Sequence, residues 1–74
     1  MPVPLSKLPP GTRAKVVAVL GGRGATRRAM EMGLAPGSEV EVVMVTGGPI
    51  IVRVRGSLVA VGRGLAEKVL VEPL

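Results

Sequence analysis

The sequence predicts a small all-β barrel or sandwich, and three features of its composition support that prediction. The 74 residues are 47% hydrophobic, with valine the commonest apolar type and no Phe, Tyr or Trp. Branching at Cβ suits a pleated strand better than a helix. Eleven glycines and seven prolines supply the turns that many short strands need. A chain of this length holds one core, so we expect a single domain over residues 1–74.

Five short strands are predicted from alternating apolar and polar residues between turn signals. The alternation is clearest where Val40 and Val42 flank Glu41, and where Ile50, Val52 and Val54 recur. Gly56 and Ser57 predict a two-residue turn of the II′ type between two of the strands. The predicted strands are residues 15–20, 39–46, 50–55, 58–61 and 68–72.

One short helix is predicted over residues 25–32, between the first two strands. Ala25, Ala29 and Met32 would share its buried face. Arg27, Arg28 and Glu31 would then point to solvent.

The helix is predicted to end in a sharp corner. Gly33 stands where a glycine with positive φ closes a helix, and Leu34 can fold back against it. Pro36 and Gly37 predict a turn into the next strand. We interpret Gly33, Pro36 and Gly37 as structural residues of this corner.

The absent residue types narrow the chemistry. Without Cys or His, disulfides, thiol chemistry and the commonest metal ligand and general base are excluded. Asp, Asn and Gln are absent too, which leaves Glu and Lys for acid–base work and predicts that the protein is not an enzyme. Glu39 and Glu41 share a strand face and offer a weak cation site at most. Met30, Met32 and Met44 are interpreted as core fillers.

The net charge indicates which partners are possible, and the N-terminal residues indicate a location in the cell. The net charge is +5, which permits attraction to acidic protein surfaces, anionic lipid or nucleic acid. The N-terminal residues lack the basic and apolar regions of a signal peptide. We therefore expect a cytoplasmic protein.

The composition also suits a thermophilic source, since the chain has seven Arg against three Lys and no Asn, Gln or Cys.

Four segments, taken in order, resemble the FeoA family of ferrous iron transport accessory proteins. Together they span nearly the whole chain, and their order makes the resemblance specific. They are Pro4 to Leu8 with Pro10-Gly11; Arg27-Arg28 with Glu31 to Leu34 and Pro36 to Ser38; Gly48 to Ile50 with Val52 to Gly56; and Arg63 and Ala66 with Val69, Val71 and Glu72. The chain departs from the usual pattern at Ala29, where the family usually has leucine.

The resemblance implies an SH3-like five-stranded barrel with a helix between its first two strands. Similar domains form the C-terminal part of DtxR-type metal-dependent repressors. It also implies a partner: the cytoplasmic region of FeoB, a membrane iron transporter, which the protein would bind and modulate. No cofactor is expected, and weak divalent metal binding is implied by the resemblance alone. A homo-oligomer is left open.

Two surfaces are candidates for binding, and each has a simpler interpretation as solvated protein exterior. The first is the helix face with Arg27, Arg28, Met30 and Glu31, which we expect to dock on the partner. The second is a basic patch, which would contain Arg13, Lys15, Arg53, Arg55 and Arg63. Nucleic acid is not expected there, because the chain has no aromatic platform for base stacking. A basic nucleic-acid- or ribosome-associated small barrel and a free-standing metal-sensing domain remain the alternative functions.

Overall fold

Six strands and two helices make up the chain in the computed structural model, which describes residues 1–74. A 3₁₀ turn over Leu5–Lys7 follows the first strand. The strands are β1 (Val3–Pro4), β2 (Arg13–Val19), β3 (Glu39–Val45), β4 (Ile50–Val54), β5 (Ser57–Val61) and β6 (Val69–Pro73). The helices are α1 (Gly22–Glu31) and α2 (Arg63–Ala66).

All neighbouring strands are antiparallel, in the order β1-β6-β2-β3-β4-β5. This confirms a mainly β fold with a short helix between the first two long strands. The strand count is six where five were predicted. The additional strand arises because Val3 and Pro4, within the proline-rich N-terminal segment, pair with Val71 and Leu70 of β6.

The sheet surrounds one apolar core of 17 buried residues, with no buried polar or charged residue among them. The predicted alternation places its apolar residues there, because successive strand side chains point to opposite faces. Ile50, Val52 and Val54 of β4 are at most 3% exposed. Val40 and Val42 of β3 are buried in the same way.

A bulge in β3 reverses the alternation and corrects one prediction. The register shifts between Val42 and Met44, so that Met44 pairs with Ile51 on the outer face. Met44 is 54% exposed and is not a core filler. An uninterrupted strand would have placed it on the same side as Val42.

The turn between β4 and β5 differs by one residue from the prediction. Its two central residues are Arg55 and Gly56, with φ of 53° and 79°, and Val54 pairs with Ser57. Positive φ at both positions defines a I′ turn rather than the II′ turn predicted at Gly56 and Ser57. Arg55 is the one residue other than glycine with positive φ.

The corner after α1 forms as predicted. The N–H of Gly33 (φ 84°) donates to the carbonyl of Met30, and that of Leu34 donates to the carbonyl of Ala29. This is the Schellman arrangement, and Leu34 is fully buried behind it. The start of α1 is less well secured, since Gly21 provides no side-chain cap and the first turn has no acidic residue.

A type II turn then directs the chain into β3. Gly37 has φ of 93°, and the N–H of Ser38 donates to the carbonyl of Ala35 at 2.9 Å. Two further hydrogen bonds, both 2.8 Å, tie the turn to the middle of β2: Gly37 N–H to the carbonyl of Val16, and Val16 N–H to the carbonyl of Ser38. The corner is therefore attached directly to the sheet.

Candidate interaction site

The exposed side of α1 carries the four residues that were predicted to bind a partner. Arg27, Arg28 and Glu31 are exposed, and Met30 is 52% exposed. Since residues three and four apart are neighbours on a helix, Arg27, Met30 and Glu31 form one stripe with Arg28 beside it. The structure thus brings all four side chains onto one surface.

Arg23 extends this stripe by one turn and was missed in the sequence analysis. The helix begins at Gly22 instead of the predicted residue 25, which places Arg23 four residues before Arg27. Gly22 and Gly24 flank Arg23, and they predicted a break before the helix because glycine has a low helix propensity. The sequence signal for including Arg23 was its spacing of four residues from Arg27, which is about one helical turn. We call Arg23, Arg27, Arg28, Met30 and Glu31 together the α1 face.

The charges of the α1 face have no ionic partners within the protein. Arg27 and Glu31 lie one turn apart but form no ion pair, and none of the chain's arginine–carboxylate contacts involves α1. The order of these two residues, with the base nearer the N-terminus, is also the less favourable one for pairing on a helix. Three guanidinium groups are therefore available to an acidic partner surface.

Met30 corrects a second prediction, since it is not a core filler. The buried side of α1 is occupied by the smaller residues Ala25 and Ala29, at 6% and 0% exposure. Met32, directly after the helix, is partly buried and packs against the core, as predicted. Met30 instead places a flexible apolar side chain among the arginines, a combination that is enriched at protein interfaces.

A second charged surface lies on the outer face of β2, β3 and β4. Arg13, Arg53 and Arg55 line an open groove of about 150 Å³ together with Glu39 and Glu41. The pairing places Arg13 opposite Glu41, and Glu41 opposite Arg53. Positive and negative side chains therefore alternate across the strands, and Arg55 adds one charge without a carboxylate partner.

The ion pairs in this groove are loose. An Nη2 atom of Arg13 lies 3.6 Å from Glu39, and Nε of Arg53 lies 3.7 Å from Glu41. Both distances exceed those of a charge-assisted hydrogen bond, and all four side chains are more than 40% exposed. Such pairs contribute little to folding and leave the arginines free to bind other anions.

Arg63 and Lys15 are not among the residues that line the groove, so the predicted five-residue basic patch is only partly formed. Arg63 instead donates from Nη2 to the carbonyl oxygen of Thr46 at 3.0 Å. Lys15 is exposed on β2, between Glu39 and Glu72 of the neighbouring strands. The three arginines of the groove are the part of the patch that comes together.

The carboxylates do not assemble a metal site. No three of the Glu side chains lie together as ligands would. Glu39 and Glu41, which offered a weak cation site in the sequence, each have an arginine as nearest charged neighbour. The donor set that a divalent cation prefers, several converging oxygens, is missing at this position.

Neither helix is long and apolar enough to cross a membrane.

The fold places the chain in the class of small SH3-like barrels. Stenotrophomonas maltophilia FeoA, solved with zinc as a prokaryotic SH3 domain protein, superposes with a TM-score of 0.78. The identity is 33%, and the match covers 97% of this chain and 89% of that one. That protein is described as a candidate activating factor of bacterial ferrous iron transport.

The chain belongs to the FeoA family, since the FeoA domain model matches residues 3–73. A crystal structure of an iron uptake regulatory protein, FeoA, is 44% identical and superposes with a TM-score of 0.94 over 100% of this chain and 99% of that one. A Methanocaldococcus jannaschii protein, provisionally named Fe(2+) transport protein A, is 39% identical over 69 residues, which are 93% of this chain and 84% of the relative. The predicted family is confirmed.

The predicted likeness to metal-dependent repressors is confirmed for the fold. A manganese-dependent transcriptional repressor superposes with a TM-score of 0.91, at 21% identity, over 99% of this chain. This chain corresponds to 37% of the repressor.

Proposed function

We propose that this protein is a cytoplasmic accessory protein of ferrous iron uptake that binds an FeoB-type transporter and modulates it. The FeoA family and the relatives named for iron transport support the role in iron uptake. The observation that supports a protein interface is the α1 face, where three arginines without ionic partners surround a half-exposed methionine.

The proposed mechanism is a shift between conformations of the transporter. A binding protein changes such an equilibrium only by its difference in affinity for the two states. The α1 face suits this task because α1 is held at its end by the Schellman bonds and the turn at Gly37, so its side chains keep their spacing. An acidic surface that is exposed in one transporter state would supply the difference in affinity.

Charge reversal on the α1 face tests the proposal. We expect the double variant Arg27→Glu/Arg28→Glu to weaken capture of the purified cytoplasmic region of the transporter by about tenfold or more, because attraction becomes repulsion. The fold should remain, since neither arginine side chain makes a hydrogen bond or ion pair within the protein. Circular dichroism of the variant verifies the fold.

A matched single substitution separates the α1 face from net charge. Arg27→Glu and Lys7→Glu change the net charge equally, and both residues are exposed. Only Arg27→Glu should weaken binding. If both weaken it to the same extent, general charge attraction explains the binding, and if neither does, the α1 face is not the interface.

A further inference from the structure

The strand β5 forms an open edge of the sheet. It is last in the strand order, and only β4 pairs with it. Hydrogen bonding alternates along an antiparallel strand, so the two-residue turn before Ser57 commits Ser57, Val59 and Val61 to β4. The backbone N–H and C=O groups of Leu58 and Ala60 therefore point away from β4, and no other backbone group bonds to them.

This edge has none of the features that usually prevent strand pairing. Charged residues, proline or a bulge protect most natural edges. The sequence Ser57–Val61 contains no charge and no proline, and its pairing with β4 is regular over all five residues. Leu58 is 59% exposed and Ala60 is exposed, so the side chains above the edge are apolar and accessible.

The apolar surface continues onto the neighbouring strands. Ala60 pairs with Ile51, and Ile51 pairs with Met44, which is 54% exposed. At the turn end of β5 the surface becomes basic, because Arg53 pairs with Leu58 and Arg55 lies in the turn itself. A segment along this edge would meet apolar side chains first and guanidinium groups next.

A second copy of this chain fits the edge poorly. Antiparallel pairing of two β5 strands would set Leu58 against Ala60 of the other copy, and the turn with Arg55 near the other copy's Arg63. No carboxylate lies within β5 or its flanking turns, and the net charge of +5 would be doubled. Like charges across a strand pair are destabilising. The charges therefore favour an acidic segment from another protein.

We propose that the open edge of β5 binds an extended acidic segment of another protein as a seventh strand. The segment supplies backbone hydrogen bonds to Leu58 and Ala60, alternate apolar side chains over the same two residues, and carboxylates beside Arg53 and Arg55. Strand addition of this kind derives affinity from the main chain and specificity from the alternate side chains. The surface shares no residue with the α1 face and does not depend on the proposed function.

A synthetic peptide tests this directly. The acetylated peptide Trp-Thr-Val-Thr-Val-Thr-Glu-Glu, docked antiparallel, would place its valines opposite Ala60 and Leu58 and its glutamates at Gly56 and Arg55. Because the protein has no aromatic residue, the peptide's Trp is the only fluorophore, and its anisotropy reports binding. We expect saturable binding, and about tenfold weaker binding when lysines replace both glutamates.

Three variants separate the contributions of the edge. Ala60→Pro removes the outward N–H without affecting the bonds to β4 and should weaken binding by roughly tenfold, whereas Ala60→Thr keeps the N–H and binding. Leu58→Glu places a carboxylate over the edge at an exposed position opposite Arg53, and it too should weaken binding, because it repels the acidic peptide. Arg55→Asn removes one cation from a turn that asparagine also adopts and should cost about two- to fivefold.

Three results would overturn the proposal. The first is failure of the glutamate peptide to bind, or equal affinity for the glutamate and lysine peptides. The second is unchanged binding by both Ala60→Pro and Leu58→Glu. The third is a concentration-dependent dimer of the free protein that Ala60→Pro abolishes, because a second copy would then be the occupant. Arg27→Glu should leave peptide binding unchanged, so the two surfaces are tested separately.

Discussion

The last turn of α1 closes directly onto β4, where a Cβ atom at Gly33 would lie 3.1 Å from Cγ1 of Val54. Gly33 also has φ of 84°, a backbone conformation that residues with a side chain rarely adopt. Val54 is 3% exposed and part of the core, so it has little room to move. Helix end, corner and core are thus coupled at one contact.

Gly33→Ala should lower the free energy of unfolding by about 1–3 kcal/mol, since backbone strain and crowding add. Urea unfolding followed by circular dichroism measures this. Gly37→Ala is the matched control: its φ is also positive, at 93°, but nothing lies within 4 Å of its Cβ. Its loss should be about 1 kcal/mol, from strain alone. Equal losses at the two positions would contradict the role of Val54.

Gly24→Ala should stabilise the protein by about 0.5–1 kcal/mol. Gly24 lies within α1 with ordinary helical φ and open space around its Cβ, so alanine costs nothing and lowers the entropy of the unfolded chain. The thermal midpoint should rise. Gly22→Ala, two residues earlier and equally open but with φ of 81°, should lower the thermal midpoint. A rise in both variants would contradict the positive φ of Gly22.

Arg55→Asn should raise the free energy of unfolding by about 0.5–1 kcal/mol. Arg55 is held at φ of 53° in a I′ turn, where asparagine followed by glycine is the preferred pair. The same denaturation experiment provides the comparison. Gly56→Ala is the counterpart and should lose about 1 kcal/mol, because φ is 79° there. A stability loss in Arg55→Asn would indicate that the arginine side chain contributes through the groove.

Glu41→Gln should change the free energy of unfolding by less than about 0.5 kcal/mol. Its pair with Arg53 spans 3.7 Å between side chains 51% and 43% exposed, so solvent screens the attraction. Glu31→Gln breaks no ion pair, so it measures the change in the free energy of unfolding that comes from losing a negative charge alone. A loss above 1 kcal/mol at Glu41, absent at Glu31, would mean that the alternating charges across β2, β3 and β4 act as a network.

Arg23→Glu should weaken transporter binding about as much as Arg27→Glu, in spite of the glycines around it. The reason is its place on the α1 face, one turn before Arg27. Binding of the purified cytoplasmic region, with Lys7→Glu as the charge-matched control, provides the measurement. If Arg23→Glu behaves like Lys7→Glu, the interface is confined to the second half of α1.

Local patterns sufficed for most of the fold because the signals at each position agreed. Val40, Val42 and the apolar residues of β4 alternate without conflict, and Gly33 and Gly37 stand where positive φ is needed. Met44 was misplaced because a bulge depends on the register of two strands, which one strand's sequence does not contain. β1 was missed for a similar reason: its two residues become a strand only through pairing with β6.

The candidate site was predicted in part. Arg27, Arg28 and Glu31 were placed correctly because a helix face follows from spacing alone. Arg23 was missed because tertiary packing of α1 overrides the low helix propensity of its neighbouring glycines. The division of the arginines between the groove and the carbonyl of Thr46 depends on contacts between distant residues, which spacing does not reveal.

The unequal ends of α1 set the order in which the helix frays. Its last turn is closed by paired backbone bonds behind Gly33, whereas its first turn has neither a side-chain cap nor an acidic residue. Amide hydrogens near Arg23 should therefore exchange with solvent sooner than those near Met30. A partner that binds both Arg23 and Arg27 must also stabilise the first turn of α1. Slower amide exchange in that turn on complex formation would therefore indicate a partner that contacts the whole length of the helix.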